Sequence, residues 1–299
     1  MKKMSKTIVF FGSGPVAAKS LKLLASDFDI EAVITKPQPP HHKEVFPVIK
    51  ACEELGLQIF TANDRSELSD LFNSNSFKSE LGVIIDHGII ISKDVIDRFP
   101  FGIINSHFSL LPRWRGPDPI SFAILQGDSE TGVSVMRIVE KLDEGDLLIQ
   151  RGLDLESDIT TPELTEKLIS LSHSLLIESL PLYINGDLMP YPQSQSPATY
   201  SHKLSKQDGV IDWNKSAETL EREIRAYYGW PRSRTRLGEI DIIITKAHVD
   251  PESGIAGSIV TNNNRILVHC SKDALVIDRL IPLGKKEMSS KEFLNGYKI

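Results

Sequence analysis

The sequence predicts an α/β fold with an open, mostly parallel sheet, followed by a small β-barrel domain. Over the first 150 residues, short apolar runs alternate with stretches of helical spacing, which is the pattern of parallel strands connected by helices. After residue 205, one helical stretch precedes several short apolar runs with turn signals between them, as is typical of a small barrel. A chain of 299 residues is long enough for both domains.

The first domain is predicted element by element. The runs that predict its strands are KTIVFFG (6–12), IEAVIT (30–35), QIFTAN (58–63), LGVIIDHG (81–88) and FGIINSH (101–107). The last two are continuously apolar, as strands buried on both faces of a sheet usually are. Helices are predicted for PVAAKSLKLLAS (15–26), where Pro15 suits a first turn, and for VIKACEELGL (48–57) and SELSDLFNS (66–74). KPQPPHHKEVFP (36–47) can only be a loop.

The second half of the chain begins with a long amphipathic helix predicted over residues 161–186. Residues 187–204 carry three prolines and no apolar period, which indicates a linker. SAETLEREIRAYY (216–228) then predicts a helix, and the strands EIDIIITKAHV, AGSIVT, RILVHC and ALVIDRLIPL follow it. The sequence therefore predicts domains at 1–186 and 205–299, joined by a linker at 187–204.

Charge and cysteine content narrow the function classes. Residues 200–299 carry 16 Lys and Arg and 13 Asp and Glu, a net charge of +3, whereas residues 1–199 carry 18 and 27, a net charge of −9. A nucleic acid or another polyanion would therefore bind to the C-terminal third rather than to the rest of the chain. The two cysteines, Cys52 and Cys270, have no metal-ligand neighbour pattern, which excludes a disulfide framework and a zinc site. The apolar run near the N-terminus is too short to span a membrane. We therefore expect a cytoplasmic protein with no metal and no membrane partner.

A glycine motif after the first strand resembles a dinucleotide fingerprint. Gly12, Gly14 and Ala17 fit G-x-G-x-x-A, but the second strand ends in Thr35-Lys36 rather than in the acidic residue that would bind a ribose. A tight strand-to-helix turn is the favoured interpretation, and an NAD-dependent dehydrogenase is the disfavoured one.

Asn105 and His107 lie at the end of the last predicted strand of the first domain. Because side chains alternate along a strand, both point to the same face if the strand continues through them. Asp143 lies in a glycine-containing loop between two apolar runs. A carboxylate near His107 would hold one ring nitrogen and leave the other to exchange protons, and the Asn105 amide would stabilise an oxyanion. This set suits direct acyl transfer to an amine, although each residue alone is also explained as a turn, a strand end or a loop cap.

The segment NSHFSLLPRWRGPDPISFAILQGDSETGVSVMRIVEKLDEGDLL, residues 105–148, resembles the central segment of the methionyl-tRNA formyltransferase family. The family pattern is Asn-x-His-x-Ser-Leu-Leu-Pro, Arg-Trp-Arg-Gly, Gly-Asp-x-x-Thr-Gly-Val and Leu-Asp-x-Gly-Asp. FFGSGPVAAKSL near the N-terminus and LGKKEMSSKEFLNG near the C-terminus extend the resemblance over nearly the whole chain. It implies a Rossmann-like formyltransferase domain, an OB-like C-terminal domain that binds tRNA, and formyl transfer from 10-formyltetrahydrofolate to the amino group of methionyl initiator tRNA.

The resemblance also implies residue roles. The catalytic residues would be Asn105, His107 and Asp143, and the folate contacts would be Ser109, Leu110, Leu111 and Pro112. The strand Val83–Gly88, with Ile85, Asp86, His87 and Gly88 at its end, and the Met136–Asp143 region would help to line the pterin pocket. The resemblance and the basic C-terminal third together suggest contacts with a nucleic acid. The candidate residues are Arg113, Arg115, Lys36, Lys43, Arg232, Arg234 and Arg236. We expect a monomer.

Three departures from the family pattern lie near the expected acceptor site. The loop at 36–47 is short and nearly uncharged, IIDHG replaces the commoner Ala-Tyr-Gly strand end, and Pro117-Asp118 replaces two small residues. An amino-sugar nucleotide N-formyltransferase that uses the same folate donor is the alternative function, because such an enzyme can keep a related C-terminal domain. A glycinamide ribonucleotide enzyme would end near residue 200, and a non-catalytic RNA-binding module would not need the three polar residues.

Overall fold

The computed structural model describes residues 7–38, 44–262 and 264–299. They form two compact units. The first comprises the described residues within Met1–Pro117, together with Thr131–Leu153 and Thr165–Ser201, and the second comprises Asp118–Glu130, Asp154–Leu164 and the described residues within His202–Ile299. The second unit thus takes two segments from the middle of the chain, and the predicted boundaries at 186 and 204 stay a prediction.

The first unit is built on a seven-stranded sheet with the strand order β3-β2-β1-β4-β5-β6-β7. Its strands are β1 (Thr7–Phe11), β2 (Asp29–Thr35), β3 (Ile59–Thr61), β4 (Gly82–Ile84), β5 (Ile103–His107), β6 (Glu130–Arg137) and β7 (Leu147–Asp154). The first five pair in parallel, and β6 pairs antiparallel to β5. The prediction of an open, mostly parallel sheet is confirmed. The strand order reverses between β1 and β4, and ligands of such sheets bind beyond the carboxyl ends of the strands at that point.

The helices that accompany these strands are α1 (Pro15–Asp27), α2 (Pro47–Leu55), α3 (Arg65–Ser74), the short α4 (Lys93–Ile96) and, after β7, α6 (Thr161–Asn185). The apolar spacing predicts all of them except α4. The α2 helix ends because Gly56 adopts a left-handed conformation with φ of 66°, and α3 is capped by Asp64, whose carboxylate accepts from two backbone N–H groups. The apolar face of the sheet buries Phe11, Phe72 and Phe99 in one cluster.

The second unit contains a six-stranded sheet, the helices α5 (Pro119–Leu125), α7 (Ala217–Ala226) and α8 (Ser290–Gly296), and a 3₁₀-helix at Lys206–Gly209. The strands are β8 (Ser233–Leu237), β9 (Ile240–Asp250), β10 (Ile259–Asn262), β11 (Arg265–His269), β12 (Ala274–Pro282) and β13 (Met288–Ser289). All recorded pairs in this sheet are antiparallel. The amphipathic helix α7 buries Leu220 and Ile224 against Ile242 and Ile244 of β9. The predicted C-terminal β domain with a packed helix is confirmed as an antiparallel sheet, whereas its closure into a barrel stays a prediction, because no pairing between the end strands β10 and β8 is found among the described residues.

The described residues contain no helix that is long and apolar enough to cross a membrane. Over the same part of the chain, no group of three or more His, Cys, Asp or Glu side chains is placed to hold a metal ion.

Candidate active site

Three strand ends meet at one edge of the first sheet. Phe11 of β1 pairs with Ile84 of β4, and Ile84 pairs with Asn105 of β5. The residues that follow these strands therefore lie side by side at the point where the strand order reverses. Asn105 is half-buried, and among the residues that the structure describes, its side-chain amide has no recorded hydrogen-bond partner. It is free to donate to a ligand.

The structure brings His107 and Asp143 together. Their side chains are each 7% exposed, and His107 Nδ1 lies 3.9 Å from Asp143 Oδ1. The other ring nitrogen, Nε2, lies 2.8 Å from the carbonyl oxygen of Trp114. Since a carbonyl oxygen only accepts, Nε2 carries a proton and donates it. At 3.9 Å, the Asp143 carboxylate is too far from Nδ1 for a hydrogen bond. Nδ1 is therefore the ring nitrogen that is available to exchange protons.

The loop between β6 and β7 sets the direction of the Asp143 carboxylate. Asp143 adopts a left-handed conformation with φ of 53°, and its Oδ2 accepts a hydrogen bond of 2.8 Å from the backbone N–H of Gly116. Two residues further on, a Cβ on Gly145 would lie 1.8 Å from the carbonyl oxygen of Arg137. Only glycine fits at this position. This steric limit explains the glycine that the sequence shows in the loop.

The stretch from Ser109 to Pro112 is held in place by hydrogen bonds to other groups of the protein. The Ser109 hydroxyl donates to the carbonyl oxygen of Arg113 at 2.6 Å, and the Ser134 hydroxyl donates to the Ser109 carbonyl oxygen at 2.6 Å. Gln150 donates to the carbonyl oxygen of Leu111 at 3.0 Å. Since Ser109 is fully buried and its hydroxyl is used internally, the folate contacts predicted for Ser109, Leu110, Leu111 and Pro112 stay a prediction.

The strand end at Ile85–Gly88 carries a carboxylate at the start of α1. A Cβ on Gly14 would lie 2.0 Å from Oδ2 of Asp86, and Gly14 provides no side-chain cap for that helix. A helix N-terminus is an anion site, and here the protein's own carboxylate lies against it. A carboxylate at this position repels a pyrophosphate, which favours the strand-to-helix turn over a dinucleotide site as the interpretation of the glycine motif.

His87, the next residue, is half-buried, and both of its ring nitrogens are shielded from solvent. Neither ring nitrogen has a hydrogen-bond partner among the described residues, and its ring contacts Phe11 edge-on with centroids 5.7 Å apart. Burial, together with the neighbouring Lys36 ammonium, lowers the pKa of His87 to about 3. The Lys36 side chain reaches the loop, because a Cβ on Gly88 would lie 2.9 Å from Lys36 Nζ. His87 is therefore neutral at ordinary pH.

Two candidate nucleic-acid residues of the first unit make contacts within it. The Arg113 guanidinium lies 4.4 Å from the centroid of the Trp114 ring. The Arg115 side chain is only 12% exposed and its Nη1 lies 2.9 Å from Glu144 Oε1, while Nη2 donates to Gln193 Oε1 at 2.8 Å. Lys43 lies outside the described residues.

The other three candidates lie in the second unit. Arg232 is exposed and donates to the Gly229 carbonyl oxygen at 3.3 Å. Arg234 donates to the carbonyl oxygen of Lys206. Arg236 pairs with Glu239 and Asp241 at 2.8 and 3.3 Å, so its charge is partly offset. The role of all three toward a nucleic acid stays a prediction.

Several groups that shape the site gave no sequence signal. The Trp114 carbonyl and the Gly116 N–H are backbone groups, which no side-chain pattern reveals. Gln193 donates to the carbonyl oxygens of Asp143 and Gly145 at 2.7 and 3.0 Å, but it lies in the segment that its composition marked as a linker.

Comparison with known proteins agrees with this architecture. The profile of the formyl transferase family matches residues 6–180, and that of the formyl transferase C-terminal domain matches residues 203–298. The methionyl-tRNA formyltransferase of Roseiflexus castenholzii is 33% identical over 305 residues, covering 99% of this chain and 97% of that protein. The methionyl-tRNA formyltransferase of Methylococcus capsulatus is 36% identical, covering 97% and 96%.

Two solved structures share the fold. The N-formyltransferase of Helicobacter canadensis, solved with folinic acid and dTDP-3-aminofucose, has a TM-score of 0.69 at 16% identity and covers 92% of this chain and 99% of its own. HypX from Aquifex aeolicus has a TM-score of 0.67 at 16% identity and covers 98% of this chain, which spans 48% of HypX. With the family matches over both parts of the chain and relatives of similar length, the chain belongs to the formyl transferase family.

Proposed function

We propose that this protein transfers the formyl group of 10-formyltetrahydrofolate to the amino group of methionyl initiator tRNA. The observation that carries the proposal is the buried pair of Asp143 and His107, 3.9 Å apart, with His107 on the strand β5 that also carries Asn105, at the sheet edge where ligands of such folds bind. Relatives named for this activity match over nearly the whole chain, which supports the same acceptor.

Each of the three side chains has a chemical task in this reaction. When the acceptor amine attacks the formyl carbon, the Asn105 amide donates to the oxygen on which negative charge develops. His107 takes the proton of the amine at Nδ1, because Nε2 already donates to the Trp114 carbonyl. The Asp143 carboxylate then stabilises the resulting imidazolium. His107 returns the proton to N10 of the folate as the bond between that nitrogen and the formyl carbon breaks.

The folate-facing and tRNA-facing surfaces are part of the proposal. Ser109, Leu110, Leu111 and Pro112, with the strand end at 85–88, would contact the folate, and the basic residues of the C-terminal domain would contact tRNA phosphates. We assign catalysis to residues 1–186 and tRNA binding to residues 205–299, and we expect a monomer that acts in the cytoplasm.

An amino-sugar nucleotide is the second candidate acceptor. The observation that favours it is the loop at 36–47, whose only charged residues are Lys36, Lys43 and Glu44. A loop with so little positive charge is a weak guide for a tRNA acceptor stem.

One experiment decides between the acceptors. Purified protein is incubated with 10-formyltetrahydrofolate and either charged initiator methionyl-tRNA or an amino-sugar nucleotide, and the formylated product is identified. Elongator methionyl-tRNA serves as the specificity control. Formylation of initiator methionyl-tRNA supports the proposal, and formylation of only the sugar amine replaces it with the alternative.

A further inference from the structure

The segment at residues 191–201 is hydrogen-bonded to both loops that carry the candidate active site. Tyr191 exchanges two backbone hydrogen bonds with Leu147, at 2.8 and 2.9 Å. Further along, the Arg115 N–H donates to the carbonyl oxygen of Thr199 at 2.9 Å, and the Ser201 N–H donates to the Arg115 carbonyl oxygen at 2.8 Å. This segment therefore joins the loop that carries Asp143 to the loop whose backbone contacts both His107 and Asp143.

Gln193 is the residue of this segment that contacts the Asp143 loop most directly. Its Nε2 donates to the carbonyl oxygens of Asp143 and Gly145, at 2.7 and 3.0 Å. Its Oε1 accepts from Arg115 Nη2 at 2.8 Å. All hydrogen-bonding positions of the amide except one oxygen lone pair are used, so its orientation is fixed.

Arg115 completes the connection from the other side. Its Nη1 pairs with Glu144 at 2.9 Å, and the side chain is only 12% exposed. The guanidinium therefore contacts Glu144 and Gln193 at once, and both of these lie at or against the loop that carries Asp143. A planar fork of donors suits this double contact, and the single ammonium of a lysine does not.

The backbone at Asp143 needs such support. A φ of 53° is a conformation that L residues rarely adopt, and it persists only where the surroundings hold it. The Gln193 amide fixes the carbonyl groups of Asp143 and Gly145, so it fixes the direction in which the Asp143 carboxylate leaves the backbone. That direction decides the distance between Asp143 Oδ1 and His107 Nδ1.

We propose that Gln193 and Arg115 are positioning residues that hold the Asp143 carboxylate at His107. In this role they act through Asp143, by way of their contacts with its loop. The inference rests on the proposed function for its kinetic test, whereas its structural test is independent of which acceptor is formylated.

The structural test is hydrogen–deuterium exchange of the full-length protein. Gln193→Leu should raise exchange in the peptide that covers residues 139–147, and peptides of β1 and α1 should be unchanged. Ser194→Ala is the matched control, because Ser194 is an exposed neighbour that contacts only Ser196 among the described residues. Unchanged exchange at residues 139–147 in Gln193→Leu overturns the inference. This outcome does not depend on the proposed function, which fails separately if the protein formylates neither acceptor.

The kinetic test separates positioning from a general loss of structure. Gln193→Leu should lower kcat by about tenfold, since a displacement of roughly 1 Å in a catalytic group costs up to about a hundredfold, with KM for both substrates within about twofold. Gln193→Glu keeps the acceptor for Arg115 but loses both donors, so it should lose as much activity. Normal kcat in Gln193→Glu would overturn the role assigned to the donors.

The decisive comparison places Gln193→Leu in a chain that already carries Asp143→Asn. If Gln193 acts through the Asp143 carboxylate, the second substitution should change kcat by less than about twofold in that background. An equal tenfold loss in both backgrounds would mean a structural role only. Arg115→Lys should lower kcat rather than raise the KM for tRNA, and the opposite split would assign Arg115 to the nucleic acid instead.

Discussion

Replacing Asp143 with Asn tests the role of the buried carboxylate with the least change in shape. The Asn side chain keeps an oxygen that accepts the hydrogen bond from the Gly116 N–H, now 2.8 Å long. Asn and Asp are also the residues that best tolerate the left-handed conformation found at position 143. We therefore expect the variant to fold with a Tm close to that of the wild-type protein and to lose only the negative charge.

The size of the effect follows from the separation of the two groups. A unit positive charge on His107 and a carboxylate 3.9 Å away attract by about 4 kcal/mol at an effective dielectric constant of about 20. That attraction exists only once His107 has taken a proton, so it is lost from the transition state and not from the ground state. The loss corresponds to a decrease in kcat of roughly a thousandfold, and at least about a hundredfold.

The assay is steady-state formylation of the acceptor identified above, with kcat and KM measured for donor and acceptor. His107→Ala should lose at least as much activity. Thermal unfolding and circular dichroism serve as the folding control for both variants. A kcat for Asp143→Asn within about tenfold of the wild-type value, well short of the loss expected of an acid–base partner, would refute the reasoning that this carboxylate stabilises charge on His107.

Four further predictions concern other parts of the molecule. Affinity for tRNA should fall steeply with salt, because each neutralised phosphate releases counterions, and Arg232→Ala should flatten that slope; a salt-independent affinity would contradict the contact. Lys36→Ala should weaken tRNA use by only about 1 kcal/mol in steady-state kinetics, and a lost preference for initiator tRNA would show that the loop discriminates. Gly14→Ala should change Tm only slightly, because the atom that its Cβ would meet at 2.0 Å is the carboxylate end of the exposed Asp86 side chain, which can rotate away; a large fall in Tm that Asp86→Ala reverses would show instead that the carboxylate is held at the helix N-terminus. The free energy of unfolding should fall as pH drops from 6.5 towards 3. Burial lowers the pKa of His87 to about 3, so the unfolded chain binds a proton at a higher pH than the folded chain does. In urea titrations, His87→Phe should show a smaller fall.

Local patterns in the sequence were sufficient for the sheet and its helices. The continuous apolar runs at 81–88 and 101–107 predict buried strands because both faces of a parallel sheet are covered, and β4 and β5 lie within them. Gly56 predicts the end of α2 because only a residue that tolerates positive φ ends a helix in that way. The alternation of side chains along a strand predicts that Asn105 and His107 lie on one face at a strand end.

The helices α4, α5 and α8 were not predicted. The first spans four residues and the other two span seven each, which is at most about two helical turns and too short for an apolar period to stand out. The pairing of β6 antiparallel to β5 was also absent from the sequence pattern, since pairing partners depend on contacts between segments far apart in the chain.

The amino-acid sequence alone thus predicts the parallel sheet, the longer helices, the family resemblance and the residue types at the strand end. Which ring nitrogen of His107 faces Asp143 follows from the folded chain, in which the carbonyl of Trp114 occupies the other one. The hydrogen bonds of Gln193 to the loop of Asp143 also follow from the folded chain, because Gln193 lies in a segment without apolar period. These contacts involve backbone groups and long-range hydrogen bonds, whereas sequence patterns record side-chain burial and local backbone preference.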